Sequence, residues 1–172
     1  MSRRKLISDA EVLDLLYAML LRDGEKLFTF QSAARASGLS APALVQRFVS
    51  REAMLVATLR HGWARLAAVT EEADLDAVMT AKGVQAMLKT IAATENIPAL
   101  FAASLRHGAL QPVAMAWRAG VEAALAPRLG GGNKGRVAAA LIFAVWQGRM
   151  LWGDIGGKGF KLGDALRQFG AL

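Results

Sequence analysis

The sequence predicts an all-α protein, and three observations support this prediction. Strong helix-forming residues, chiefly Ala, Leu, Met, Arg and Glu, dominate the chain. Apolar residues recur at helical spacing, whereas no alternating strand pattern persists. Clusters of glycine separate these periodic segments, as expected where one helix gives way to the next.

The composition narrows the classes of protein that the chain can belong to. Of the 172 residues, 54% are hydrophobic and 20% are charged, which is enough apolar material for a buried core. Cysteine is absent and only two histidines are present, so we expect no disulfide, no metal site and no cofactor. The longest apolar run, residues 137–146, is shorter than the roughly 20 residues of a membrane span. We therefore expect a cytoplasmic protein without a membrane partner.

The net charge of +7 suits a polyanionic partner such as nucleic acid. Residues 1–60 contain nine Lys and Arg against six Asp and Glu, and residues 61–172 contain twelve against eight. Because the excess positive charge is shared by both halves, it permits nucleic-acid binding without locating it.

Four helices are predicted at the amino-terminal end from their capping residues. Ser8 and Glu11 form a capping box for the first helix, which Gly24 is placed to end. Thr29 caps the second helix, Ser40 caps the third and Ser50 caps a long fourth helix.

The second and third of these helices form a helix-turn-helix pattern. Their connection, residues 37–40, is a tight turn that contains Gly38. Leu39, Leu44 and Phe48 supply apolar anchors beneath the third helix, and its outward side carries Ala41, Ala43, Gln46 and Arg47. Gln46 and Arg47 are long enough to reach base edges or phosphates in a major groove. An ordinary helical corner is the alternative interpretation of the same residues.

Five further helices are predicted, at residues 82–95, 98–110, 113–128, 136–152 and 162–169. Residues 130–135 also match the GxGxxG pattern of dinucleotide sites. That motif requires a preceding strand, and here a helix precedes it. A flexible glycine linker is therefore the favoured interpretation.

The amino-terminal region resembles that of tetracycline-repressor (TetR)-type transcriptional regulators. The resemblance covers residues 12–59 and rests on the order and spacing of Val12-Leu13-Asp14, Arg22-Asp23-Gly24, Thr29, Ala33-Ala34, Gly38-Leu39-Ser40, Leu44, Phe48 and Ser50-Arg51-Glu52-Ala53-Met54-Leu55. The carboxy-terminal half resembles the family only in the number and style of its helices. The resemblance implies a helix-turn-helix DNA-binding domain at residues 1–52, followed by a helical effector-binding and dimerisation domain at residues 53–172.

By position, the resemblance implies that Thr29 and Arg51 contact phosphates and that Gln31 lies near bases or backbone. The family commonly has a basic residue where this chain has Ala41, and a tyrosine where it has Val45. Arg35 and the basic arm at residues 3–5 are candidate substitutes for those backbone contacts. The complete set of candidate DNA-binding residues is Thr29, Gln31, Arg35, Ser40, Ala41, Ala43, Gln46, Arg47 and Arg51.

The helix at residues 136–152 is apolar nearly all round, which predicts burial on several sides. Ala140, Ala144 and Gly148 form a smooth strip along which another helix could approach. In the resembled family, helices in this place build the dimer interface, for which the candidate residues are Ala140, Leu141, Ala144, Val145, Gly148 and Trp152. The alternative is a central helix buried within one subunit.

Aromatic and methionine residues of the middle helices are candidates for an effector cavity, although most of them also suit an ordinary core. With one histidine added, the candidate set is Trp63, Met87, Phe101, His107, Met115 and Trp117. No pair of residues suited to nucleophilic or acid–base catalysis is recognisable, so we do not expect an enzyme.

The main hypothesis is therefore a dimeric, ligand-responsive regulator, most simply a repressor, that binds a palindromic operator and responds to a small apolar or amphipathic effector. One alternative is a helical interaction or small-molecule-binding protein of the same fold that has lost operator binding. A second alternative is a helical enzyme or lipid-binding protein that uses the second domain alone.

Overall fold

The computed structural model describes residues 7–94, 96–153, 155–156 and 161–168. In these residues all regular structure is helical, as predicted. The amino-terminal part consists of α1 (Asp9–Asp23), α2 (Phe30–Ser37) and α3 (Ala41–Phe48), and a 3₁₀ turn at Glu25–Leu27 connects α1 to α2. The long α4 (Arg51–Asp76) follows.

The predicted caps of these four helices are confirmed. Ser8 and Glu11 form the capping box of α1, with the Ser8 amide donating to Glu11 Oε2 at 2.8 Å. Thr29, Ser40 and Ser50 each accept a backbone amide at the start of their helices. Gly38 ends α2 in the left-handed conformation (φ 71°), which glycine adopts without steric cost. Local hydrogen bonding thus determines where these helices begin.

A second layer is built from α5 (Ala81–Thr94), α6 (Ile97–Arg106), α7 (Gln111–Arg128), α8 (Gly132–Gly153) and α9 (Leu162–Gln168). The predicted helix at 98–110 is too long, because His107 is extended and a separate 3₁₀ turn occupies Gly108–Leu110. The prediction of a flexible linker at residues 130–135 is also wrong. Gly130 and Gly131 in the tight turn after α7, and Gly132 at the start of α8, have positive φ. A Cβ atom at Gly135 would lie 2.5 Å from the Ala126 carbonyl oxygen, so the two helices approach closely there.

The amino-terminal helices pack on α4 through another close approach. Val12, Leu16 and Tyr17 of α1 are buried against the core. A Cβ atom at Gly62 would lie 2.5 Å from the Tyr17 ring, so only glycine leaves room for this ring on α4. The close packing of α1 on α4 therefore depends on Gly62.

Four aromatic rings fill the space between α4, α7 and α8. Trp117 is the centre of the cluster, with its ring centroid 5.4 Å from Trp63, 5.7 Å from Phe143 and 6.4 Å from Trp146. Both deeply buried indole N–H groups have partners, since Trp117 donates to Thr70 Oγ1 at 2.9 Å and Trp63 to Ser104 Oγ at 3.1 Å. Because both N–H groups are hydrogen-bonded, these large side chains can be buried in the core without an unsatisfied donor.

Arg128, at the end of α7, holds the end of α4 in place. Its side chain is 3% exposed and donates to the Asp74 carboxylate and to the carbonyl oxygens of Asp74, Ala77 and Val78. Helix ends leave carbonyl groups without helical partners, and the guanidinium supplies donors to them. α4 therefore extends from the helix-turn-helix to a clamp in the second layer, and the domain boundary expected at residues 52 and 53 falls in its first turn.

Candidate DNA-binding and effector sites

The helix-turn-helix is a compact corner in which α3 is held by its apolar side. Leu44 is fully buried, and Leu39 and Phe48 are half-buried against the core. Ser40 Oγ accepts the Ala43 amide at 3.3 Å and so orients the first turn of α3. The three predicted anchors therefore all face inward, which fixes the opposite side of α3 outward.

The outward side of α3 carries most of the residues that the sequence assigned to it. Ala43, Val45, Gln46 and Arg47 are exposed, whereas Ala41 is half-buried. Arg47 Nε lies 3.2 Å from Asp9 Oδ1 at the start of α1, so its guanidinium is held by an exposed ion pair. Ion pairs at the surface stabilise a protein by at most about 1 kcal/mol, so replacing Asp9 by another anion would cost little.

Thr29 caps α2 with both of its polar groups. Its hydroxyl oxygen accepts the Ser32 amide at 3.1 Å, and its own amide donates to Ser32 Oγ at 2.9 Å. Gln31 and Arg35 are exposed on α2 beyond this cap. Candidate groups from α2 and α3 thus lie at the surface, while the basic arm at residues 3–5 lies outside the described residues.

The expectation that Arg51 has a guanidinium free for phosphate requires correction. Arg51 Nε donates to the Phe28 carbonyl oxygen at 2.6 Å, and Nη2 donates to the Glu25 carbonyl oxygen. The Glu25 carbonyl also accepts the Phe28 amide within the 3₁₀ turn, so the Arg51 side chain joins both ends of this turn to the start of α4. Arg51 therefore supports the helix-turn-helix by hydrogen bonds to the turn that precedes α2.

The end of α3 contains a strained residue that the sequence did not indicate. Val49 has φ 65° and ψ −47°, and the Ser50 amide donates to the Phe48 carbonyl oxygen at 2.7 Å across it. This is a γ-turn with positive φ, a conformation that β-branched residues rarely adopt. The side chain is 81% exposed, so the turn places an apolar group in solvent beside α3.

The predicted effector residue His107 lies at the junction between α6 and the helix-turn-helix. His107 Nδ1 is 2.8 Å from Glu52 Oε1, and Nε2 is 3.5 Å from Glu25 Oε1, where it makes no hydrogen bond. Arg106 Nη2 donates to the same Glu25 oxygen at 2.7 Å. This hydrogen bond lowers the pKa of Glu25, with the nearby charges of Arg106 and His107 acting in the same direction. At the end of α6, Arg106 and His107 therefore interact with carboxylates of the 3₁₀ turn (Glu25) and of α4 (Glu52).

A second polar junction connects α1 to α4. Asp14 Oδ1 lies 2.8 Å from both His61 Nε2 and Arg65 Nη1. The hydrogen bond with His61, followed by that with Arg65, lowers the pKa of Asp14. The sequence did not indicate this group, because its members lie far apart along the chain.

The six candidate effector residues do not line one cavity. Trp63 and Trp117 lie together beside a groove between α4 and α7. Met87 is a buried residue of α5, Phe101 lines a small cleft between α6 and α8, and Met115 is 71% exposed on α7. Of the six candidates, only Trp63 and Trp117 lie beside this groove.

Most of the candidate dimer residues lie on the face of α8 that points away from the core, whereas Val145 packs partly against it. Ile142, Phe143 and Trp146 pack inward, whereas Leu141 is 43% exposed and Trp152 is 65% exposed. Ala144 is exposed, and Ala140, Val145 and Gly148 are half-buried. α8 therefore has one face in the core of its own chain and a second apolar face toward solvent.

Other kinds of site find no support in the part of the chain that the structure describes. Within it, no three His, Asp or Glu side chains are grouped so that they could hold a metal ion. None of its helices is long and apolar enough to cross a membrane.

Comparison with known proteins identifies the fold. No family model and no curated protein sequence matches the chain. Among solved structures, the chain is similar to that of the multidrug binding protein EbrR, determined in complex with imidazole. The two share 19% sequence identity with a TM-score of 0.66, and the match covers 99% of this chain and 95% of that one. The likeness extends over nearly the whole of both chains and confirms the predicted all-α fold class.

Proposed function

We propose that this chain is a cytoplasmic, ligand-responsive transcriptional regulator, a repressor, that binds a palindromic DNA operator as a homodimer. The observation that carries the proposal is the capped helix-turn-helix, in which α3 is anchored by Leu44 and exposes Gln46 and Arg47. An exposed helix of this kind fits the major groove, where Arg and Gln side chains discriminate bases. The fold likeness to the multidrug binding protein EbrR supports a ligand-binding protein.

In this proposal, residues 1–52 bind DNA. Arg47 leaves its ion pair with Asp9 when DNA binds, and Gln46 and Arg47 then contact base edges. The small side chain of Ala43 allows α3 to approach the DNA major groove closely. Thr29 and Ser40 cap the amino-terminal ends of α2 and α3, where backbone amide groups favour a bound phosphate. Gln31 and Arg35 supply backbone contacts, and Arg51 maintains the 3₁₀ turn beside them.

Residues 53–172 then provide dimerisation and effector binding. Gly148 has open space where a Cβ atom would stand, so a partner helix could approach closely there. Exposed Leu141 and Trp152 on the same face are apolar surface that a symmetric partner would cover. A two-fold dimer would carry two recognition helices, as a palindromic operator requires.

The junction at His107 offers a route from effector to DNA. An effector that shifts α6 would move Arg106 and His107 against Glu25 and Glu52, the residues next to the helix-turn-helix. A ligand shifts a protein between two conformations only if it binds one of them more tightly. We propose that the two conformations of this chain differ in the contacts of Arg106 and His107 with Glu25 and Glu52.

A second candidate function is an interaction protein of the same fold without operator binding. The observation that favours it is the apolar character of the outward side of α3, where Val45 is 44% exposed and Val49 is 81% exposed. Exposed apolar groups suit a protein partner better than a phosphate backbone.

Selection of bound sequences from random DNA duplexes distinguishes the two candidates. The regulator hypothesis predicts enrichment of a palindrome whose half-sites are separated by about one helical turn or a multiple of it. Retention of all sequences alike, or of none, would reject operator binding and favour the interaction protein.

A further inference from the structure

The groove between α4 and α7 has a volume of about 310 Å³. Small residues on both helices, among them Ala67, Ala116 and Gly120, leave this space open. A Cβ atom at Gly120 would meet no atom within 4 Å. The complete lining is Trp63, Ala64, Ala67, Thr70, Glu71, Asp74, Val113, Ala116, Trp117, Gly120 and Ala124.

The side chains that line the groove offer no free hydrogen-bond donor. Trp63 Nε1 donates to Ser104 Oγ, and Trp117 Nε1 donates to Thr70 Oγ1. The Thr70 hydroxyl donates in turn to the Leu66 carbonyl oxygen at 2.8 Å. The lining residues include no Lys, Arg or His. A carboxylate or phosphate in this groove would therefore find no side-chain donor to replace water.

The groove does offer acceptors and negative charge. Asp74 is paired with Arg128 through Oδ1, so its charge is compensated. Glu71 is exposed, and no hydrogen bond or ion pair joins its carboxylate to the residues that the structure describes. Glu71 is thus the uncompensated charge at the edge of an otherwise apolar groove.

We infer that this groove binds an apolar organic cation of the aromatic ammonium class. Its ring packs on the alanine walls and the tryptophan pair, and its ammonium group donates to Glu71. The inference deepens the effector-binding part of the proposed function, by giving the chemical class of the effector and its location.

Calorimetric titration of the full chain with two matched probes tests the charge preference. The probes are 1-naphthylmethylammonium and 1-naphthylacetate, which present the same ring with opposite charge. We expect the cation to bind at least about tenfold more tightly than the anion. Equal affinities, or tighter binding of the anion, would overturn the inference.

Two pairs of variants test the location. Glu71→Gln should weaken binding of the cation by about tenfold, whereas Glu72→Gln, which lies on the α5 side of α4, should not change it. Gly120→Leu places a side chain in open space and should abolish binding, whereas Ala119→Leu on the neighbouring exposed position should retain it. Each variant is checked by circular dichroism for retained helix.

Wild-type affinity in folded Glu71→Gln or Gly120→Leu protein would overturn the assignment to this groove. The titration contains no DNA, so its outcome is independent of operator binding. If the protein binds the cation but selects no operator, the proposed regulator function is rejected and the assignment of the groove stands. If it selects an operator but does not bind the cation, only the assignment of the groove is rejected.

Discussion

Arg51 donates its Nε–H to the carbonyl oxygen of Phe28 at 2.6 Å, across 23 positions of the chain. A second donor of the same guanidinium reaches the carbonyl oxygen of Glu25. The first residue of α4 therefore fixes the turn that leads into α2. This relationship gives Arg51 a structural part in presenting the helix-turn-helix.

Variants of Arg51 show whether its hydrogen bonds, rather than its positive charge alone, stabilise the fold. Arg51→Ala should lower the free energy of unfolding by about 1–3 kcal/mol, because two carbonyl groups lose a charged donor. Arg51→Lys should lose most of the same stability, since one ammonium group does not reproduce the planar fork of donors. Urea unfolding of the two variants and the wild type measures the effect. Wild-type stability in Arg51→Ala would show that the clamp is unimportant.

Acid stability should depend on Asp14. Its hydrogen bonds with His61 and Arg65 hold its pKa below the ordinary value of 3.8 in the folded chain. A carboxylate whose folded pKa is depressed contributes stability above its unfolded pKa and loses that contribution as the pH falls through its folded pKa.

Comparison with Asp14→Asn isolates this contribution. At neutral pH the wild type should be the more stable protein, and its advantage should shrink as the pH is lowered below about 3.8. Unfolding by urea at a series of pH values measures the difference. An advantage that stays constant down to the most acidic condition would contradict the depressed pKa.

The dimer proposal is tested most simply on α8. Ala144→Arg would place an unpaired charge in an apolar contact and should convert a dimer into a soluble monomer. Ala123→Arg, at an exposed position of α7, is the matched control and should leave the mass unchanged. Light scattering measures the mass of each protein. A monomeric wild type at micromolar concentration would remove the basis for the interface.

The sequence contained the information for most of the helices because their ends are determined locally. Ser8 and Glu11 lie three residues apart, and the caps at Thr29, Ser40 and Ser50 use amides of the next turn. Capping of this kind depends on neighbours in the chain and can be recognised without tertiary information. The predicted anchor Leu44 followed from helical periodicity in the same way.

The partners of the polar side chains could not be predicted from the sequence. Arg51 looked free for phosphate because its acceptors, the carbonyl groups of Glu25 and Phe28, carry no side-chain signature. His107 looked like a ligand-binding residue, but its carboxylate partners come from α4 and the 3₁₀ turn. Both assignments depend on how α4 and α6 pack, which periodicity does not specify.

The most direct measurement of the central claim is the preference of the protein for its selected operator over a scrambled duplex of the same composition, measured by fluorescence anisotropy. We expect the double variant Gln46→Ala/Arg47→Ala to bind both duplexes with similar affinity, because base contacts of this kind contribute about 1–3 kcal/mol each. The control Gln111→Ala/Arg118→Ala changes the same residue types at exposed positions of α7 and should retain the wild-type preference. An unchanged preference in folded Gln46→Ala/Arg47→Ala protein would contradict base reading by α3.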